Sequence, residues 1–223
     1  MKYRINNTRL VALCAAVLVL ATSACALTSK AAVVDVRYFS PERVELRANS
    51  EKPGLAPSET SSDVPLQLRL GRVSSGPNLR ERIEYRDSAY ELGYYEDLRW
   101  TERPETYVRR ELGRSLFEVH GIHRVLSGAG PTLDVEVIAF DELRLKEGRA
   151  AQVRLKAILY DDSDVMFEDT LTIDRPVAGE KPQIEEVIVA MATALELACG
   201  QVTLKVQKAL VARRLAAPMD SAP

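Results

Sequence analysis

Residues 101–117, TERPETYVRRELGRSLF, change the period of the chain. Val108, Leu112 and Leu116 recur every four residues, a spacing that lines one side of a helix and fits no strand. Thr101 stands where an N-cap belongs, and Pro104 falls in the first turn, where its missing N–H is not needed. Gly121 supplies the stop. On both sides of this segment the period is two. LQLRLGRV at 66–73 sets Leu66, Leu68 and Leu70 against Gln67 and Arg69, the alternation of a half-buried strand. RIEYR at 82–86 and AYELGYY at 89–95 read as short strands parted by Asp87-Ser88.

Downstream, IHRVL at 122–126 reads as a strand before the turn SGAGP at 127–131. TLDVEVIAFDEL at 132–143 puts Leu133, Val135 and Val137 on one face, and AQVRLKAILY at 151–160 does the same with Val153, Leu155, Ala157 and Leu159. The acidic turn DDSD at 161–164 leads into VMFEDTLTI at 165–173, so these strands form an antiparallel meander. A last element runs from Gln183 to about Arg214, with Ile184, Val187, Ile188, Met191, Leu195, Ala198, Val202 and Val206 at helical spacing. Gly200 is its weak point, at a cost of about 1 kcal/mol relative to Ala. Five to seven strands with two substantial helices predict an α/β fold. The sheet is mixed and largely antiparallel, the 101–120 helix serving as crossover and the long C-terminal helix packing on the sheet. One face of so long a helix is left for a second protomer, so a homo-oligomer is an open expectation.

The N-terminus has the order of an export signal. Lys2, Arg4 and Arg9 precede LVALCAAVLVLA at 10–21, and no acid occurs before Asp35. Twelve apolar residues suit the hydrophobic region of a signal peptide and fall short of the roughly 18 needed to span a bilayer. Two cuts compete. Ala24-Cys25-Ala26 offers small residues to an ordinary signal peptidase, releasing a soluble chain from Leu27; Thr22-Ser23-Ala24-Cys25 resembles the bacterial lipobox, with Thr22 where Leu is usual. The position of Cys25 directly behind an apolar run favours lipidation, and several acyl chains, at roughly 0.8 kcal/mol per buried CH₂, hold a protein to a membrane firmly. Ala26 after the Cys resembles outer-membrane sorting. The expected organisation is a signal peptide at 1–24, a lipidated N-terminus and flexible tether at 25–63, a folded domain at 64–214 and a tail at 215–223. The tether includes ANSEKPGLAPSETSSD at 48–63, while residues 26–47 could supply one strand.

Composition restricts the chemistry. With 46% hydrophobic and 28% charged residues the chain is too apolar for general disorder. The net charge of −2, falling to −5 once Lys2, Arg4 and Arg9 leave, gives no field that attracts nucleic acid. Between Arg80 and Arg114 eight arginines are interleaved with tyrosines and Trp100, but nine acids balance them. Cys14 leaves with the signal and Cys25 takes the lipid, so Cys199 remains without an intramolecular partner and reads as a small buried hydrophobe. His120 and His123, with Glu118 nearby, lack the fourth ligand of a structural zinc site, and no metal or cofactor is expected. YDDSDVMF lacks the glycine and ligand order of a calcium loop, and no Gly-rich stretch or G-x-S-x-G nominates a nucleophile. No catalytic residue is therefore nominated.

The segment GYYEDLRWTERPETYVRRELGRSL at 93–116 resembles the PqiC-like family of ABC-type transport auxiliary lipoproteins. The positions that match are Ile83, Tyr85, Arg86, Tyr94, Tyr95, Arg99, Trp100, Pro104, Val108 and Leu112. LDVEVIAFDEL, VRLKAILYDD and the terminal helix with IVAMATALELACGQV extend the resemblance from about Leu66 to Leu210. It implies a non-catalytic subunit anchored in the outer membrane and facing the periplasm. Such a subunit docks to the MCE-domain and ABC permease components of a transporter for lipids or other hydrophobic molecules. Within that reading Tyr94, Tyr95 and Trp100 are candidate partner-binding residues, because aromatics concentrate at interface hot spots; Trp100 could equally wedge helix against sheet. The competing readings are an assembly or regulatory lipoprotein of the envelope and a soluble periplasmic binding protein.

Overall fold

The computed structural model describes residues 34–42, 65–128, 130–162, 164–179 and 182–216. The expected signal peptide, Cys25, the polar stretch 48–63 and the last seven residues lie outside them. Contacts divide the chain into Met1–Asp35 and Val36–Pro223, and every element below belongs to the second unit.

The order of elements is β1 (Arg37–Phe39), β2 (Gln67–Ser75), β3 (Arg82–Arg86), β4 (Leu92–Trp100), α1 (Pro104–Gly113), a π-helical turn (Arg114–Val119), β5 (His123–Arg124), β6 (Thr132–Leu145), β7 (Gly148–Asp161), β8 (Asp164–Pro176) and α2 (Ile184–Ala216). Among the described residues eight strands, against the five to seven expected, form one mixed sheet with two helices, the α/β architecture the periodicity predicts. β6, β7 and β8 make the antiparallel meander. The lead strand β1 adds to the sheet edge parallel to β4, inside the stretch that the sequence assigns to a tether.

β6 organises the sheet. One edge pairs along its length with β7, while the other is shared: Thr132–Val137 pair in parallel with β2, and Asp141–Leu143 with β3. Between Val137 and Ala139 the register with β7 shifts, leaving Ile138 as an extra residue. A bulge of this kind reverses the alternation beyond it. Before it, Leu133, Val135 and Val137 stand opposite Leu159, Ala157 and Leu155; after it, Phe140 and Glu142 stand opposite Val153 and Ala151. Strict alternation would have put Ala139 and Asp141 on that side.

α1 packs on β2 and β6, α2 on β7 and β8, and the helices touch each other. The N-cap position of α1 is Arg103, which makes no side-chain capping bond. Thr101, expected to cap, instead sets its hydroxyl 2.7 Å from the Tyr107 hydroxyl, and Glu102 N donates to the same oxygen at 2.9 Å. One buried phenol thus fixes the entry to the helix. Pro104 occupies the first turn as expected, and Gly121 follows the helix at φ +64°, a left-handed conformation that suits glycine. Cys199 is buried, and burial pushes its thiol well above the usual range.

Candidate functional site

The three aromatic candidates separate in space. Trp100, at the end of β4, is only 1% exposed. Its ring meets Phe140 edge-on at 5.3 Å and Tyr107 at 6.2 Å, while Tyr107 stacks on Phe140 at 6.5 Å. The trio joins β4, α1 and β6, so Trp100 takes the wedge position between helix and sheet. The indole Nε1 is buried without a hydrogen-bond partner. Tyr94 is half-buried, with the Arg82 guanidinium 5.8 Å from its ring centre.

Tyr95 belongs to a charged cluster that closes one end of the core. Its hydroxyl donates to Glu142 Oε2 at 2.6 Å and accepts from Arg149 at 3.1 Å. Glu142 is fully buried and also receives Arg149 Nε and, at 3.4 Å, Arg144 Nε. Arg149 donates in addition to Pro182 O at 2.6 Å, tying the cluster to the approach of α2. Burial and the bond to Glu142 raise the phenol of Tyr95 above its usual range. Arg144 lies over the Tyr85 ring at 3.5 Å and the Tyr95 ring at 4.8 Å, and those two rings meet edge-on at 5.3 Å. Gly93 makes this possible, for a Cβ there would strike the Tyr85 ring.

The hairpin explains the composition. β6 and β7 are joined by Lys146 and Glu147, which sets Arg144 directly opposite Arg149. Like charges so placed repel. Glu142, brought to the same side by the bulge, lies between them. Around these residues a groove of about 440 Å³ opens, lined by Tyr95, Arg144, Arg149, Pro182, Gln183 and Ile184.

A second acidic pair lies where β3 meets β6. Glu84 and Asp141 are register partners, each 1% exposed. Arg86 Nε pairs with Asp141 Oδ2 at 2.6 Å, and Asn78 donates to Glu84 Oε2 at 3.3 Å, whereas Glu84 Oε1 and Asp141 Oδ1 have no partner. Burial pushes Glu84 up to about 7 and raises Asp141 as well, Arg86 opposing the second shift. Among the described residues no three His, Cys, Asp or Glu side chains converge to hold a metal; His120 instead sets Nδ1 2.8 Å from Ser115 O.

Sequence reading singled out Tyr95 but missed Glu142, Arg144, Arg149, Glu84 and Asp141. A signal existed in FDELRLKEGR at 140–149, where two acids fall within a strand and arginines flank a tight turn. Which acid meets those arginines depends on the bulge.

No family model and no curated protein matches the chain. Solved structures do. A Xanthomonas campestris protein described under DUF330 is 22% identical, with 69% of this chain and 90% of that one covered at a TM-score of 0.61. A second structure, of an uncharacterised protein, is 15% identical, covering 63% and 92% at 0.54. At these identities the likeness establishes the fold alone.

Proposed function

We propose that this chain is a non-catalytic, lipid-anchored subunit of the bacterial envelope that docks to the MCE-domain and permease components of an ABC-type transporter for hydrophobic molecules. The carrying observation is that the residues on which the resemblance to the auxiliary lipoproteins rests form one structural unit. Ile83 and Tyr85 on β3, Tyr95 and Trp100 on β4, and Pro104, Val108 and Leu112 on α1 are contiguous. In this unit Trp100 secures the helix while Tyr95 secures the charged end of the core. The fold shared with the DUF330 protein supports the reading. Cys25 attaches the lipid in this proposal, and the outer membrane is the compartment its flanking residue favours. Tyr94 and the groove beside Tyr95 offer the docking surface.

Cross-linking in intact cells followed by purification of the chain tests the assignment. Recovery of an MCE-domain or permease subunit is expected, and its absence under conditions that trap other envelope complexes refutes the transporter role. Palmitate labelling of wild type and Cys25→Ala tests the anchor; label retained in the variant excludes Cys25.

A further inference from the structure

The outward side of α2 carries a stripe of exposed apolar residues, interrupted by Glu186, Thr193 and Gln207. Val189, Leu197, Leu204, Val211 and Leu215 are exposed by 40–81%, on the side away from the buried Ala198, Val202 and Val206. Leu197, Leu204 and Val211 repeat every seven residues, and Thr193 and Gly200 fall in the same stripe. Thr193 spends its hydroxyl on Val189 O at 3.0 Å, so this polar position is satisfied within the helix. A seven-residue apolar repeat keeps one face of a helix turned toward a partner helix, and here one position of the repeat is apolar three times over.

The charges of α2 identify that helix. From Ile184 to Cys199 it carries Glu185, Glu186 and Glu196 and no basic residue; from Gly200 to Ala216 it carries Lys205, Lys208, Arg213 and Arg214 and no acid. Two copies laid parallel would set acid against acid and base against base. Laid antiparallel, each acidic half faces a basic half, and the helix dipoles oppose favourably. Glu185, Glu196, Lys205 and Arg213 already hold partners in their own chain, so the preference comes from the exposed residues Glu186 and Lys208 together with the segregation as a whole. The stripe is also self-complementary about its middle. Antiparallel pairing centred on Gly200 sets Leu197 of one copy beside Leu204 of the other and brings Val189 to Val211, a seam about 33 Å long at 1.5 Å per residue. A Cβ at Gly200 would meet nothing within 4 Å in its own chain, so the centre is open to close approach.

We infer that the outward face of α2 is a self-association surface, through which two copies of this chain pair by antiparallel α2 helices crossing at Gly200. The occupant is a second copy, and the pairing does not depend on the transport assignment.

Sedimentation equilibrium of the full chain in mild detergent reads the mass directly. Wild type at micromolar concentration is expected as a dimer and Leu204→Glu as a monomer with an unchanged helical CD spectrum, since Leu204 faces solvent in the single chain. Leu197→Ser serves as the second variant should the glutamate disturb folding. Oxidative cross-linking reads the direction, with the unsubstituted chain as baseline for its own cysteines. Gly200→Cys is expected to link to itself, whereas Val189→Cys and Val211→Cys link only when the two variants are mixed. A monomeric wild type overturns the proposal, as does a Val189→Cys chain that links to itself as readily as Gly200→Cys, which is the parallel arrangement. It is equally overturned if Leu204→Glu leaves the mass unchanged and abolishes binding to phosphatidylethanolamine–phosphatidylglycerol vesicles, for the face is then a membrane contact.

Discussion

Replacing Glu84 by Gln should stabilise the protein at alkaline pH and leave it nearly unchanged in acid. The Glu84 carboxyl is almost fully buried between β4 and β6, its only bond comes from Asn78, and Asp141 faces it with Arg86 already engaged. Burial raises its pKa from an ordinary 4.5 to about 7. Below pH 4.5 the group is protonated in both folded and unfolded chains and contributes no pH dependence. Between 4.5 and 7 the folded state holds the proton while the unfolded state releases it, so stability falls as pH rises. Above 7 the folded protein must carry the buried charge and the loss is complete, at about 3 kcal/mol given roughly 1.4 kcal/mol per pH unit. Gln keeps an oxygen for Asn78 and cannot ionise. Urea denaturation of wild type and Glu84→Gln from pH 4 to 8.5 measures the difference, which should be near zero at pH 4 and grow to about 3 kcal/mol in favour of the variant at pH 8. A difference independent of pH, or a variant less stable than wild type at pH 8, would refute the burial argument.

Three further outcomes can be checked by thermal and chemical denaturation. Glu142→Ala strands Arg144 and Arg149 beside each other and should cost about 3–5 kcal/mol, whereas Tyr95→Phe removes one hydroxyl and should cost about 1–3 kcal/mol. Equal losses for the two variants contradict the placement of Glu142 at the centre of the cluster. Trp100→Phe, which sacrifices no hydrogen bond because Nε1 has none, should cost far less than Trp100→Ala at about 3–5 kcal/mol. Gly93→Ala should lose about 1–3 kcal/mol as the added methyl displaces the Tyr85 ring, and near-UV CD should report the altered tyrosine environment.

Elements with long uniform periods were legible in the chain itself. The four-residue spacing of Val108, Leu112 and Leu116 located the crossover helix, and the alternations from Leu133 to Val137 and from Val153 to Leu159 located two meander strands. What escaped depended on contacts distant in sequence. Thr101 has the chemistry of a cap, but Tyr107 offers its hydroxyl a nearer partner. The side on which Glu142 lies was hidden because nothing in VIAFDE marks Ile138 as the residue that breaks alternation; the bulge is visible only in the pairing with β7. Tyr95 was found as an aromatic in a resemblance, yet its importance to the structure comes from an acid 47 residues away. The separation of Trp100 from Tyr95, one in the apolar core and one in its charged end, likewise follows from how β4 crosses the sheet.

The lead strand β1 has a mechanical meaning. It joins the sheet by only three residues, Arg37, Tyr38 and Phe39, alongside β4, with Thr101 N donating to Phe39 O at 2.9 Å and Arg37 paired with Glu185 at 2.6 Å. Tension applied through the N-terminal end of the chain enters the sheet at this short edge strand, ahead of the long β6–β7–β8 ladder. With so few bonds, β1 is expected to part from β4 under such a pull before the aromatic wedge or the meander opens. The first place at which a pull on the N-terminal side of Arg37 is felt is therefore a three-residue edge and not the long ladder.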